Sequence, residues 1–338
     1  MSSTDSPDTR ATAPTVPPAG PGPRAGAVET VRSVGLSGLS LSVRAPAPDG
    51  EAAPDGAAAS DGREPALYVH GLGGSSQNWS ALMPLLADRL DGEALDLPGF
   101  GHSPPPDDGN YSVAAQARAV IRYLDATGRG PVHLIGNSMG GAAAARVAAA
   151  RPDLVRTLTL ISPALPELRP QLTAVPTALL AVPGVARLFS RLTRDWSPER
   201  RTREVMALCY GDPARVTPEG LRNAVDEYAR RLQLPYFWEV MERSARGLVN
   251  SYTLGGQHNP WRQAERVLAP TLLVYGGRDR LVAPRMARRA ATAFRGSRLL
   301  MLPEAGHVAM MEYPEAVARA VRELLDAHPD ETADAGRS

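Results

Sequence analysis

Val132-His133-Leu134-Ile135-Gly136-Asn137-Ser138-Met139-Gly140-Gly141, with the alanine-rich stretch Ala142 to Ala150 directly behind it, is the most informative part of this chain. A short apolar run meets G-x-S-x-G, and a helical segment opens at once. Strand, sharp turn and helix are the context a nucleophile elbow needs. The turn lifts the Ser138 hydroxyl clear of the backbone, small neighbours let the chain crowd together, and the helix N-terminus favours developing negative charge. The same letters also fit a helix capped by Asn137 or Ser138 after an ordinary tight turn. What flanks them must decide.

Outward from that stretch, short apolar runs alternate with helical ones. Upstream lie Pro65 to His70, a helix over Ser76 to Leu90, a strand over Glu93 to Leu97 and a helix over Ser112 to Ala126; downstream lies Thr157 to Ile161. Strand–helix alternation predicts a parallel sheet with helices on both faces, whose strands read as continuous apolar runs. After Ser162-Pro163 the rhythm breaks, and residues 166–262 read as a helical insertion holding many of the aromatics. It resumes with Thr271 to Tyr275, a helix near Pro284 to Phe294, the strand Arg298 to Leu302 and a final helix Pro314 to Ala327. Residues 1–27 are rich in Pro, Ala, Ser, Thr and Gly and read as a disordered tail; Ala45 to Glu64 reads as a long mobile turn, and 329–338 as a frayed end. The predicted organisation is therefore a tail (1–27), a core in two parts (28–165 and 263–328) around the insertion (166–262), and a second tail (329–338).

The 338 residues carry 37 basic and 36 acidic side chains, a net charge of +1, so no long-range field gathers nucleic acid. All of the basic residues are arginine. The single Cys209 has no disulfide partner and no cysteine metal site, and its reading is a small buried hydrophobe. No secretory signal is legible among the early prolines, and no segment supplies roughly 18 uninterrupted apolar residues. A cytoplasmic protein with no metal or organic cofactor is expected, and membrane contact is not.

A serine nucleophile needs a base, and His307 follows the strand Arg298 to Leu302 directly. His133 lies inside a strand, His258 in the insertion and His328 near the end, which leaves His307 best placed. A carboxylate must then hold the imidazole in one tautomer. Asp279 lies just past Thr271 to Tyr275, at the carboxyl edge where parallel sheets bind ligands. An aspartate between Arg278 and Arg280 could equally be a surface ion pair, but the loop after Ile161 reads Ser162-Pro163-Ala164 and offers no carboxylate. For the oxyanion, the strand Pro65 to His70 runs into Gly71-Leu72-Gly73-Gly74, and the backbone amides of Leu72 and Met139 are the expected donors, with His70 structural.

The order Ser138, Asp279, His307 resembles that of the α/β-hydrolase family, over about residues 30 to 327. Asp96-Leu97-Pro98-Gly99-Phe100-Gly101-His102-Ser103 is similar to the family's loop beside the site. The resemblance implies a mostly parallel eight-stranded sheet with an inserted helical cap, and a serine hydrolase that acts on a small, apolar carboxylic ester. The elbow and the Asp96 to Ser103 segment also look like those of carbon–carbon bond hydrolases. Val308 after the base, where those enzymes commonly carry Trp, and the absence of their Gly-Pro-Gly depart from that subfamily. Members of the fold that have lost catalysis serve as ligand-binding scaffolds, a further reading that a complete triad opposes. Thr177 to Leu192 has the spacing of an amphipathic helix, suited to closing over a pocket or to lying on a membrane.

Overall fold

A computed structural model describes residues 29–46, 62–167 and 169–329. The expected tail at 1–27, most of the Ala45 to Glu64 turn and all but the first of residues 329–338 lie outside the described residues.

Eight strands form one sheet: β1 (Glu29–Leu36), β2 (Leu39–Pro46), β3 (Glu64–Val69), β4 (Leu90–Leu95), β5 (Val132–Asn137), β6 (Val155–Ile161), β7 (Thr271–Gly276) and β8 (Arg298–Leu302). Their order is β1-β2-β4-β3-β5-β6-β7-β8. Only β2 runs against its neighbours; from β4 to β8 every pairing is parallel. The helices of the two core parts are α1 (Val113–Thr127) and α2 (Ser138–Ala150) before the insertion. Between β6 and β7 lie α3 (Val175–Leu179), α4 (Val185–Leu192), α5 (Pro198–Cys209), α6 (Pro218–Leu232), α7 (Phe237–Ser251) and α8 (Pro260–Ala264), which straddles residue 262 and so the expected end of the insertion. After it come α9 (Met286–Ala293), α10 (Ala309–Glu312) and α11 (Pro314–Asp326).

The near-continuous apolar strands serve two cores at once, because successive side chains point to opposite faces. Leu67, Val69, Leu273 and Tyr275 pack with α1, α2 and α9 on one side. Ala66, Tyr68, Leu272 and Val274 pack with Trp79 and with Val317, Val321 and Leu324 of α11 on the other. Every position of β5 and of β7 is buried.

Two segments fold otherwise than their apolar spacing predicts. Ser76 to Leu90 is not one helix: Ser76–Trp79 and Met83–Leu86 are separate 3₁₀ turns, and β4 begins at Leu90. Pro84 lacks the N–H a longer helix would need, and the buried Trp79, Leu82, Met83 and Leu86 recur at a spacing that three-residue turns satisfy. Thr177 to Leu192 is likewise interrupted, since α3 ends at Leu179 and Pro183-Gly184, with Gly184 at φ 85°, turns the chain before α4. In the insertion, α5 and α6 both start on a hydroxyl cap followed by proline, with Ser197 accepting from Arg200 N–H and Thr217 from Gly220 N–H. No strand lies between β6 and β7 among the described residues, and no described helix is long and apolar enough to cross a membrane.

Candidate active site

β5 delivers Ser138 at its carboxyl end with φ 53°, in the left-handed region that a residue bearing a Cβ adopts only under constraint. The constraint is crowding on both sides of the turn. A Cβ on Gly140 would lie 2.2 Å from the His70 carbonyl oxygen, and one on Gly71 would lie 2.9 Å from the Ser138 Cβ. The loop after β3 is thereby pressed against the serine. Asn137 does not cap α2. Its Nδ2 donates to the carbonyls of Ile161 at 3.0 Å and His307 at 3.1 Å, tying the elbow to the end of β6 and to the histidine loop.

Asp279 and His307 meet as expected from their positions past β7 and β8. His307 Nδ1 lies 2.9 Å from Asp279 Oδ2, and both residues are buried. The other carboxylate oxygen accepts from Leu281 N–H at 2.8 Å and Val282 N–H at 2.9 Å. Burial alone would raise the Asp279 pKa. The His307 charge and hydrogen bond, with the two backbone donors, outweigh it and hold the carboxyl below the usual carboxylate range. The flanking arginines are engaged elsewhere: Arg278 pairs with Glu304, and Arg280 donates to the Ala207 carbonyl at 2.9 Å. Asp279 is thus left to the imidazole. The Ser138 hydroxyl and His307 make no hydrogen bond to each other among the described residues, a separation common before substrate tightens a site.

His70 is structural in a specific sense. Its Nδ1 faces the Gly71 carbonyl at 2.7 Å and its Nε2 accepts from Leu97 N–H at 3.0 Å, which requires the neutral ring with the proton on Nδ1. Burial pushes its pKa down to about 4, in keeping with that state. The peptide it grips is the one that ends in Leu72 N–H. Met139, the residue after Ser138, is fully buried, while Leu72 packs partly buried against the core. His133 is packed between Thr157 Oγ1 at 2.8 Å and Glu64 Oε2 at 2.9 Å, as its strand position implied.

Two carboxylates missing from the sequence reading bind the insertion to the loops of the site. Glu227 of α6 accepts from Arg230 Nε at 2.8 Å and Arg231 Nε at 2.7 Å. Arg231 in turn donates to the Gly73 carbonyl and to Ser75 Oγ, and Arg230 to the Gly101 carbonyl. Glu312, at the end of α10, accepts from Gly211 N–H at 2.9 Å, Asp212 N–H at 3.0 Å and Gly306 N–H at 2.6 Å. Beside it, His307 N–H donates to the Cys209 carbonyl at 2.7 Å. In sequence, Glu227 with Arg230 and Arg231 looks like an ordinary solvated helix face. Only their burial distinguishes them. Among the described residues no group of three or more His, Cys, Asp or Glu side chains is placed to hold a metal ion.

The chain is 30% identical over 251 residues to the dihydrolipoyllysine-residue acetyltransferase component of the acetoin cleaving system of Cupriavidus necator, covering 74% of this chain and 60% of that relative's length. It is 27% identical over 276 residues to a pimeloyl-[acyl-carrier protein] methyl ester esterase of Neisseria meningitidis, covering 76% of this chain and 91% of the relative. Among solved structures, 2-hydroxy-6-oxo-6-phenylhexa-2,4-dienoate hydrolase from a Rhodococcus species superposes with a TM-score of 0.67 at 19% identity, covering 88% of this chain and all of that one, a likeness of fold. A family model described as the alpha/beta hydrolase fold matches residues 65–314, from the strand before the Gly71 loop to the start of the last helix, and the chain belongs to that family of hydrolases.

Proposed function

We propose that this hydrolase cleaves carboxylic esters of small, apolar acyl groups, with Ser138 as nucleophile, His307 as base and Asp279 orienting the base. One observation carries the reading: a buried Asp279–His307 pair at 2.9 Å stands on the loops after β7 and β8, tied by Asn137 to a serine held at positive φ at the end of β5. His307 takes the Ser138 proton as Oγ attacks the ester carbonyl, and the amides of Leu72 and Met139 receive the oxyanion. The imidazolium then protonates the departing alcohol, leaving an acyl-enzyme, and a water deprotonated by the same histidine releases the acid. Asp279, its second oxygen occupied by Leu281 and Val282, keeps Nδ1 protonated so that Nε2 acts on serine and water.

Residues 166–262 serve as a cap, and the setting is the cytoplasm, where the single Cys209 has no disulfide to form. The esterase relative, matched over 91% of its length, supports ester over carbon–carbon cleavage, as does Val308 after the base. The test pairs Ser138→Ala with short p-nitrophenyl esters and a fluorophosphonate probe. Loss of turnover and of covalent labelling, with the fold retained by circular dichroism, is expected. Wild-type turnover in Ser138→Ala would sink the assignment. Tight ligand binding by the unmodified chain, with neither labelling nor turnover, would point to a binding scaffold.

A further inference from the structure

The spacing of residues 177–192 fits a pocket lid and a lipid surface equally well, and in the structure the apolar side chains of this stretch and its approach face outward. Leu172 is 87% exposed, Leu179 49%, Val182 47%, Leu188 54% and Leu192 72%. Single exposed apolar residues are ordinary on soluble proteins, but such a run from one segment is not. On α4, Leu188 and Leu192 stand one turn apart, whereas Ala186 is fully buried and Phe189 packs edge-on against Trp238 of α7 at 5.6 Å between ring centres. One side of the helix holds it to the body and the other is left open.

Charge selects the partner. From position 168 to Arg194 the chain has no Asp or Glu, yet it carries Arg169, Arg187, Arg191 and Arg194. Arg187 and Arg191 sit beside Leu188 and Leu192 and form no ion pair among the described residues. Glu239 and Glu242, which share a groove with them, are taken by Arg243 and Arg246. Apolar side chains flanked by unpaired cations, on a segment that carries no acid of its own and faces only two glutamates already held by other arginines, match the interfacial zone of an anionic bilayer, where apolar groups sink to the acyl boundary and arginines meet phosphates. An acidic protein partner would call for more cations and less exposed aliphatic surface.

We propose that α3, α4 and the turn between them form a peripheral docking face for anionic lipid membranes, with Leu179, Val182, Leu188 and Leu192 entering the headgroup boundary and Arg187 and Arg191 on its phosphates. Membrane contact, not expected from sequence, is added to the cap role proposed for residues 166–262. A face of this kind needs no spanning helix.

The test floats the full chain with vesicles of phosphatidylcholine alone and with vesicles containing about one third phosphatidylglycerol. The chain rises with the anionic vesicles and stays behind with the neutral ones. Arg187→Gln with Arg191→Gln lowers the partition roughly thirtyfold, from the cost of two arginines leaving an anionic surface, and Leu188→Glu with Leu192→Glu abolishes it. All four positions are exposed, and circular dichroism checks that the variants keep their fold. Failure to float with anionic vesicles overturns the proposal, as does equal binding to both vesicle types or binding that survives both double variants. Binding to polyglutamate without binding to anionic vesicles would mark the face as a site for an acidic protein. Light scattering that shows a lipid-free dimer, lost in Leu188→Glu with Leu192→Glu, would mark a self-association surface. The Ser138→Ala chain floats as the parent does, so failure of docking and failure of the hydrolase reading are separate results.

Discussion

Glu227→Gln removes one charge from an enclosed ionic group, and the structure sets the size of the effect. The carboxylate is 7% exposed and is shared by Arg230 and Arg231. Burial by itself would raise its pKa. The Arg230 hydrogen bond and the Arg231 charge overcome that and bring it from an ordinary 4.5 down to about 2. A displacement of that size corresponds to ~3 kcal/mol of stability. Because the folded state holds the proton less tightly than the unfolded state, this contribution is complete above pH 4.5 and vanishes as pH falls through about 2; about half of it is gone by pH 3. Glutamine keeps the shape and an acceptor but leaves two arginines without their counter-charge. Urea unfolding followed by circular dichroism at pH 7 is expected to place the variant ~3 kcal/mol below the parent, a midpoint lower by roughly 1 M for a chain of this size. At pH 3 the gap should shrink to about half. A gap under ~1 kcal/mol at pH 7, or one unchanged between the two pH values, would mean that Arg230 and Arg231 do not hold the Glu227 charge in this way. Since Arg231 also holds the Gly73 carbonyl, the turnover of a soluble ester should fall together with stability.

Asp279→Asn is expected to keep the fold and lower kcat for p-nitrophenyl esters by roughly four orders of magnitude, because an amide opposite Nδ1 favours the wrong tautomer; a loss under tenfold would remove Asp279 from the triad. Gly140→Ala should prevent accumulation of soluble protein, since its Cβ would lie 2.2 Å from a backbone oxygen. Gly255→Ala, whose Cβ meets nothing within 4 Å, should leave the melting temperature within about a degree or two. His70 is held neutral in the fold with its pKa lowered to about 4 from an ordinary 6.5. The unfolded chain therefore binds that proton first, and wild-type stability declines as pH falls between those values. His70→Gln should flatten the difference between denaturation midpoints at pH 7 and pH 5; an unchanged slope would show that another group is responsible.

The two-sided sheet, the strand β8 at Arg298 to Leu302 and the helix behind Ser138 were legible because each rests on local rules: apolar runs for strands covered on both faces, and a small-residue turn where strand becomes helix. So were the places of Asp279 and His307, since both follow strands at the carboxyl edge. The same local rules misread Ser76 to Leu90, where apolar spacing suits three-residue turns as well as a helix, and Thr177 to Leu192, where Pro183-Gly184 outweighs amphipathic spacing. Whether Asp279 faces a histidine or its neighbouring arginines was not local at all. It was decided by Glu304 and the Ala207 carbonyl, which engage Arg278 and Arg280. Glu227, Glu312 and Asn137 were likewise unreadable as site residues, because their partners are loops far away in sequence and their significance lies in burial. The family of the fold, and the strand ends that carry Asp279 and His307, could be read from side-chain type and short-range period alone. Which charges are enclosed, how α6 grips the loops beside Ser138 through Arg230 and Arg231, and that Leu188 and Leu192 of α4 face outward depend instead on what surrounds a residue in space, and are fixed by the folded chain as a whole.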